Sequence, residues 1–363
     1  MSLVAMAQAP PPDQTATTPA ATPAPAPVWS VGPIDFSGLV DAYADKNFNN
    51  PASMTNGLRN FDLKANQFTL NMAKLTMSHD ADPVGFRVDF GFGRAFETIN
   101  GADPAGGDIN RHIEQAYVSL KPPKMKGFQL DIGKFVTSAG AEVIETKDNW
   151  NYSRSLLFAW AIPYYHFGAR ATMPMGKYFT GGVQLVNGWN NFEDNNSGKT
   201  IGLTGAFASK KVSWFNNYYT GPENSGSNKG FRNLYDTTLL LTPADQFNAY
   251  VNFDYGSNKD PLGGKASWTG VAFAAKMAAT SKIAFTPRIE FFNDKDGFST
   301  GVAQKVKEFT ITGEYKMAEG LLTRLEYRRD WSDESFFERG GSGTSKNQNT
   351  ILIGFVAYFG PKR

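Results

Sequence analysis

Cysteine is absent from the 363-residue chain, and histidine occurs three times, at His79, His112 and His166. The absence of cysteine excludes disulfides, thiolate metal ligands and a cysteine nucleophile, and the scattered histidines do not form a zinc-binding pair at helical spacing. No apolar run approaches the roughly 18 residues of a membrane-spanning helix, and the longest, Leu156–Tyr165, contains Pro163. The formal net charge of +2 is too small for a broad basic surface that would bind nucleic acid.

What the chain has instead is glycine, aromatic residues and a hydrophobicity that alternates with period two. Segments such as Val84–Phe92, Phe247–Tyr255 and Phe309–Tyr315 place apolar residues on one face and polar, charged or glycine residues on the other. A β-strand shows this pattern when one side meets an apolar medium and the other meets water.

The connections between these segments distinguish among the folds that could use them. About sixteen segments can be counted, of a length that suits tilted strands crossing a bilayer. Seven tight joints, such as Asp80–Pro83 and Ser209–Lys211, alternate with eight long polar joints near 45–66, 97–111, 136–163, 190–199, 221–230, 257–265, 294–304 and 332–348. Short periplasmic turns alternating with long extracellular loops are typical of outer-membrane barrels. The sequence therefore predicts an all-β fold, a transmembrane antiparallel β-barrel of about 16 strands, with 14 or 18 as alternatives.

Residues 1–30 differ from the rest of the chain. They contain a Pro/Ala/Thr tract with almost no charge, which predicts a flexible or polyproline-II-like tail. The sequence Ala5-Met6-Ala7-Gln8 fits a signal-peptidase site, although an ordinary Ala-rich tail is the alternative. We expect residues 1–30 to be a signal remnant and a periplasmic tail of an exported protein, and residues 31–363 to form the barrel.

The region 129–170 carries a resemblance to a known family. Gln129–Phe135, Gly140–Glu145, Asn149–Phe158 and Ile162–Arg170, with further segments at Val186–Trp189 and Pro287–Phe298, resemble the OmpL-like outer-membrane β-barrel porin family. The resemblance covers everything after the tail. It implies the outer membrane of a Gram-negative bacterium, a channel activity and no catalytic residues.

A sixteen-stranded barrel is wide enough to hold water, so charged residues on its inner face would line a pore. In the strand phase assigned above, the residues that we predict to be pore-lining are Arg87, Asp89, Arg170, Asp254, Arg288, Glu290, Arg324, Glu326 and Arg328. The full inner wall carries more acids than bases, which predicts a mild cation preference.

The joint 136–163 is unusual because its second half, with Trp150, Leu156 and Trp160, is apolar. An exposed apolar loop is an aggregation liability, so we expect it to fold inward against the barrel wall or a subunit neighbour. One interpretation is a constriction loop with Glu142, Glu145, Asp148 and Arg154 facing the pore. The other is a latch that stiffens the barrel or forms an oligomer contact.

Other chemistry has little support in the sequence. His166 lies near Ser153 and Ser155, but no G-x-S-x-G nucleophile elbow is present, and Tyr164, Tyr165, His166 and Tyr219 are better explained as part of an aromatic girdle. Asp294–Gly297 fits a polar hairpin better than a calcium loop, because Phe292 occupies the first ligand position. We predict no enzyme activity, cofactor or metal site.

The expected function is passive diffusion of small hydrophilic solutes or ions through a water-filled barrel narrowed by an inward-folded loop. The expected partners are outer-membrane lipid, those solutes and a homo-oligomer, without nucleic acid. The alternative is a structural or adhesive outer-membrane barrel with a plugged lumen that acts through its surface loops.

Overall fold

A computed structural model describes residues 29–101 and 109–361. Alternating side chains produce sixteen long antiparallel strands in these ranges. The strands are β1 Ile34–Asn47, β2 Phe68–His79, β3 Val84–Phe92, β4 Ile113–Leu120, β5 Gln129–Val136, β6 Tyr165–Pro174, β7 Phe179–Val186, β8 Thr200–Ala208, β9 Val212–Asn224, β10 Ser227–Ala244, β11 Phe247–Lys259, β12 Lys265–Ala278, β13 Ile283–Asp294, β14 Gln304–Ala318, β15 Leu321–Ser332 and β16 Asn347–Phe359.

The strands form a closed ring in which each pairs with its sequence neighbours. The last strand closes it on the first, from Asn47 opposite Thr350 to Gly38 opposite Phe359. Closure gives the strand backbones hydrogen-bond partners without leaving an edge, which a bilayer requires. The prediction of a sixteen-stranded antiparallel barrel is confirmed.

Apolar side chains lie on the outside of this ring and polar side chains on the inside. On β15, Leu325 is 59% exposed, whereas its neighbours Arg324 and Glu326 are buried. The same alternation runs along β11, where Phe253 is exposed and Asn252 and Asp254 are buried. This reversal of the usual soluble-protein arrangement is what a strand with lipid on one side demands.

The lengths of the connections follow the predicted alternation, with two exceptions. At one end of the barrel the connections 80–83, 121–128, 175–178, 209–211, 245–246, 279–282 and 319–320 are short. At the other end 48–67, 93–112, 137–164, 187–199, 295–303 and 333–346 are longer, but 260–264, which was predicted as a long joint at 257–265, has five residues.

The larger exception is the joint 221–230, which was wrongly predicted to be long. Strand β9 continues to Asn224 and β10 begins at Ser227, so the two strands extend their pairing beyond the predicted end, with Pro222 opposite Phe231. Gly226, with φ of 68°, adopts the left-handed conformation needed in the tight turn. The polar residues here belong to a hairpin rather than to an irregular loop.

The remaining elements are short and belong to the longer connections. Helix α1 is Arg94–Asn100, helix α2 is Leu156–Trp160, and 3-10 turns lie at Asn110–His112 and Thr146–Asp148. A hairpin pairs Phe337–Arg339 with Gly343–Ser345, and Ser30–Val31 pairs with the start of β1. None of the helices in the described ranges is long and apolar enough to cross a membrane. Residues 1–28 of the predicted tail lie outside the described residues.

Candidate functional site: the inner face of the barrel

Three arginines lie on the inner face of two strands that are separated by one other strand. Arg288 lies on β13, and Arg324 and Arg328 lie on β15; all three have no exposed surface. They were predicted to line a pore, but in the structure they contact the residues between β5 and β6, numbers 137–164, which we call the β5–β6 segment.

Arg288 is bound by three carboxylates. Its Nη1 lies 2.7 Å from Glu142 Oε1, and its Nε lies 3.1 Å from Glu290 Oε1 and 3.3 Å from Glu308 Oε2. Glu142 belongs to the β5–β6 segment, whereas Glu290 and Glu308 belong to the wall. Arg288 therefore joins the segment to the barrel through charge-assisted hydrogen bonds.

Arg324 and Arg328 bind backbone carbonyls of the same segment. Arg324 Nη1 donates to the Thr146 carbonyl oxygen at 2.6 Å, and Arg328 Nη1 donates to the Arg154 carbonyl oxygen at 2.6 Å. Each arginine is also paired with a wall carboxylate, Glu314 and Asp330 respectively. These guanidinium groups satisfy acceptors that an irregular buried segment would otherwise leave unpaired.

The two predicted wall glutamates accept hydrogen bonds from backbone N–H groups of the segment. Glu326 accepts hydrogen bonds from the backbone N–H groups of Tyr152 at 2.6 Å and Ser153 at 3.0 Å. Glu290 accepts from the N–H of Leu156 at 2.8 Å, where α2 begins. Arginines bind the carbonyl oxygens and glutamates bind the amides, so the wall is complementary to the backbone of the segment.

A second group of charges lies on another part of the inner face, on β2, β3 and β4. Lys74 pairs with Glu145 of the segment and with Glu114 at 3.2 Å and Asp89 at 3.5 Å. Arg87 Nε lies 3.0 Å from Asp89 Oδ2. The three carboxylates are close enough together to hold a metal ion, but the Lys74 ammonium already supplies the positive charge between them.

The other two predicted residues of the segment, Arg154 and Asp148, differ in burial and in partners. Arg154 is buried and donates to the carbonyl oxygens of Val143 at 2.9 Å and Tyr152 at 2.5 Å, so its charge braces the segment internally. Asp148 is partly exposed and pairs with Lys147. Burial raises the pKa of Asp148 despite that neighbouring ammonium.

Two of the predicted wall residues form ion pairs or register pairs within the wall and are not bonded to the β5–β6 segment. Arg170 pairs with Asp131 at 2.8 Å across β5 and β6. Asp254 faces Asp236 across β10 and β11. The structure therefore brings Arg288, Glu290, Arg324, Glu326 and Arg328 together at the segment and leaves these two apart.

The residues of a hydrolase triad are not assembled. The Nδ1 of His166 lies 3.0 Å from the Gly188 carbonyl oxygen and its ring stacks on Tyr219 with centroids 4.8 Å apart. The Ser153 hydroxyl instead contacts Arg328 at 3.2 Å.

Sequence reasoning did not assign Lys74, the Tyr152 hydroxyl or the first long connection to the site. Lys74 is the one charged residue of β2 other than its terminal histidine, a signal that could have marked it. Tyr152 donates its hydroxyl to Asp41 of β1 at 2.6 Å. Leu58 and Phe61 of the connection 48–67 pack in one apolar cluster with Leu156 and Phe158. No pattern along the chain indicates that two separate connections share a core.

Comparison with known proteins agrees with this architecture. A family model described as "Putative beta-barrel porin-2, OmpL-like" matches residues 33–359. Among solved structures, the anion-selective porin from Comamonas acidovorans is 11% identical, with a TM-score of 0.62 over 90% of this chain and 99% of that one. The outer membrane channel DcaP of Acinetobacter baumannii is 13% identical, with a TM-score of 0.58 over 90% and 97% of the two chains.

A trimer form of OmpT, an outer membrane protein of Vibrio cholerae, is 12% identical, with a TM-score of 0.59 over 90% of this chain and 99% of that one. At such identities the likeness concerns the fold. No curated protein is matched by sequence.

Proposed function

Because the chain belongs to the OmpL-like family of β-barrel porins, we propose that it is an outer-membrane porin through which small hydrophilic solutes or ions diffuse passively. The β5–β6 segment narrows its lumen. The family and the fold support the channel role, and the contacts of the segment support the narrowing.

One pair of contacts carries the second part of the proposal. The segment bonds to β9 through Ser138, whose hydroxyl donates to Asn217 Oδ1 at 2.8 Å, and to β1 through the Tyr152–Asp41 hydrogen bond of 2.6 Å. β1 and β9 are eight positions apart in a ring of sixteen strands, so they stand on opposite sides. A segment held at both sides crosses the lumen and takes up part of its cross-section.

The test is unitary conductance of the purified full-length chain in a planar bilayer, compared with a variant that lacks residues 149–158. Removing this stretch should raise the unitary conductance while the barrel still inserts. A matched control lacks residues 262–264 of the exposed connection 260–264 and should conduct like the wild type. Wild-type conductance that is unchanged by the 149–158 deletion would contradict the narrowing role.

A second candidate is a structural or adhesive barrel whose lumen is closed. The apolar cluster favours it, because Leu58 and Phe61 meet Leu156–Phe158 and the Trp160 indole N–H donates to the Leu58 carbonyl oxygen at 3.1 Å. Apolar contacts of this kind exclude water. A wild-type chain that inserts without conducting, and conducts after the deletion, would favour this candidate.

We also propose a homo-oligomer, which the trimer form of the similar Vibrio cholerae structure supports. Mass measurement of the protein in detergent, by light scattering with chromatography, distinguishes a monomer from a trimer.

A further inference from the structure

Two carboxylates face each other on the inner wall with no basic residue beside them. Asp236 on β10 and Asp254 on β11 are register partners, and both side chains have no exposed surface. Side chains directly opposite each other on one face have Cβ atoms about 5 Å apart, and like charges in that position destabilise a sheet. The pair therefore needs a positive charge, either a proton shared by the two carboxyls or a bound cation.

Asp236 receives hydrogen bonds from neighbouring amides, whereas Asp254 lies within hydrogen-bond reach of Asp236 only, among the described residues. Asp236 accepts from the Nδ2 atoms of Asn217 at 2.7 Å and Asn252 at 2.8 Å and from the Gly140 N–H. No N–H or O–H group of another described residue donates to either oxygen of Asp254, and the two carboxyls can share a hydrogen bond only if one of them carries a proton. No ion pair joins either aspartate to a lysine or arginine there, in contrast to Arg288 and Lys74, which each bind three carboxylates. A buried carboxylate in this state is strongly unfavourable.

A third side chain on the same two strands is also unsatisfied. Thr238 forms the adjacent register pair with Asn252. Its side chain is buried with no exposed surface, and its hydroxyl has no hydrogen-bond partner among the residues described. Asn252 Oδ1 receives a long contact of 3.4 Å from the Ala141 N–H. Both oxygens of Asp254 and the Thr238 hydroxyl therefore lack donors on this patch of wall. The oxygens of Asp236 and Asn252 each accept one hydrogen bond and keep a second lone pair.

We propose that Asp236 and Asp254 bind a calcium ion on the inner wall, with the oxygens of Thr238 and Asn252 completing the donor set. The donors are all oxygens, the preference of a hard cation. Two carboxylates balance a divalent ion, whereas a monovalent ion would leave a buried negative charge. Calcium suits the patch better than magnesium, because calcium accepts irregular oxygen geometry whereas magnesium demands a near-ideal octahedron. Water would complete the roughly six to eight ligands that calcium takes.

The position of the ion links it to the β5–β6 segment. Asn217, which donates to Asp236, also donates to the Ser138 carbonyl oxygen at 3.1 Å. Asn252 contacts Ala141. Calcium would therefore fix the positions of the Asn217 and Asn252 side chains, which contact the start of the segment. The site depends on the local charge balance and not on whether the barrel conducts.

The experiment measures binding of radioactive calcium to the folded full-length chain in detergent by equilibrium dialysis at constant neutral pH. We expect one ion per chain. Asp254→Asn should weaken its binding at least about tenfold, because affinity follows the charge of the ligands. Thr238→Val, which removes an oxygen without changing charge, should weaken it severalfold. Asp245→Asn, at an exposed turn residue, is the control and should bind as the wild type does.

Thermal unfolding of the same proteins gives a second readout. Calcium should raise the melting temperature of the wild type, chelation should lower it, and equal concentrations of magnesium or sodium should not replace calcium. Tight calcium binding retained in Asp254→Asn would overturn the proposal by placing the ion elsewhere. An absence of calcium binding in a wild type no more stable than Asp254→Asn would overturn it as well, and would indicate a proton shared by the two carboxyls.

Discussion

Arg288 on β13 and Glu142 of the β5–β6 segment form a buried ion pair whose nitrogen and oxygen lie 2.7 Å apart. Glu290 and Glu308 share the same guanidinium, and Glu308 also lies 3.7 Å from Arg328 Nε. The contact that joins the barrel wall to the segment is almost entirely buried.

Replacing Arg288 with Met should destabilise the protein by about 3–5 kcal/mol, because breaking a buried ion pair leaves uncompensated charge. Urea unfolding in lipid vesicles measures this change. Arg94→Met is the matched control, because Arg94 forms an exposed pair with Glu97 that should contribute about 0–1 kcal/mol. Equal effects of the two substitutions would show that the Arg288 pairs add little.

Gly354 on β16 leaves room for the ring of Tyr152. A Cβ atom built on Gly354 would lie 2.3 Å from Tyr152 Cδ2, so Gly354→Ala should displace the ring and break the Tyr152–Asp41 hydrogen bond. Overpacking of this kind costs about 1–3 kcal/mol, to be measured by the same unfolding assay. Gly313→Ala, whose nearest neighbour would be 3.7 Å away, should be close to neutral. A neutral Gly354→Ala would mean that the ring moves freely.

A charged side chain on the outer face at mid-membrane should destabilise the barrel. Val251→Arg on β11 should reduce the stability of the folded barrel in lipid by about 2–4 kcal/mol. Leu262→Arg makes the same kind of change at a residue that is 98% exposed in a connection outside the strands and should have little effect. Refolding into vesicles compares them, and equal losses would mean that the strand phase is wrong.

Ion selectivity should follow the charges that keep contact with water. The exposed fraction of the side chain is 34% for Arg87, 32% for Lys147 and 22% for Lys276, against 18% for Asp148 and 14% for Glu145. The acids counted along the strands predict a cation preference, but most of them are buried in pairs. We therefore expect a mild anion preference that weakens at high salt. A reversal potential across a KCl gradient gives the sign, and cation selectivity would contradict this expectation.

Acid should loosen the contact between the segment and β2. Burial alone would raise the pKa of Glu145, but Lys74 and Arg87 lower it further than burial raises it, so the net direction is downward. A carboxyl with a lowered pKa in the folded state stabilises the fold above its unfolded pKa of about 4.3, and this stability is lost as the pH falls through the folded value. Melting temperature against pH should therefore fall less steeply on acidification in Glu145→Gln than in the wild type, and Glu97→Gln is the exposed control. Identical profiles for Glu145→Gln and the wild type would remove Glu145 from the acid response.

Period-two alternation predicted the strands well because each side of a strand meets a different medium, as Leu325 and its two neighbours show. The same signal could not separate inner from outer aromatics near strand ends. Tyr165 and Tyr219, interpreted as a girdle, are buried, since connections cover the first and His166 stacks on the second. Polar composition also predicted a long loop wrongly at 221–230. There the two strands continue to pair, and their backbone groups form hydrogen bonds with each other instead of with water.

The candidate site was only partly predictable for a different reason. The inner charges could be assigned from alternation, but their partners lie far away along the chain. Arg324 binds Thr146 and Asn149, and no local pattern in β15 indicates that its guanidinium would bind backbone carbonyls of a distant connection. Such contacts depend on which strands the ring brings face to face.

The closing register of β16 on β1 restricts the order in which this protein can be assembled. The β5–β6 segment is synthesised before β13, β14 and β15, yet its amides and carbonyls are satisfied by Glu290, Glu326 and Arg324 on those later strands. Until the C-terminal strands arrive, the segment has no partners for these groups. The closed ring leaves no lateral gap, so the segment enters the lumen either before the last strand pairs with the first or through the barrel end from which it departs. In both cases its docking is completed only after the C-terminal third of the chain is in place.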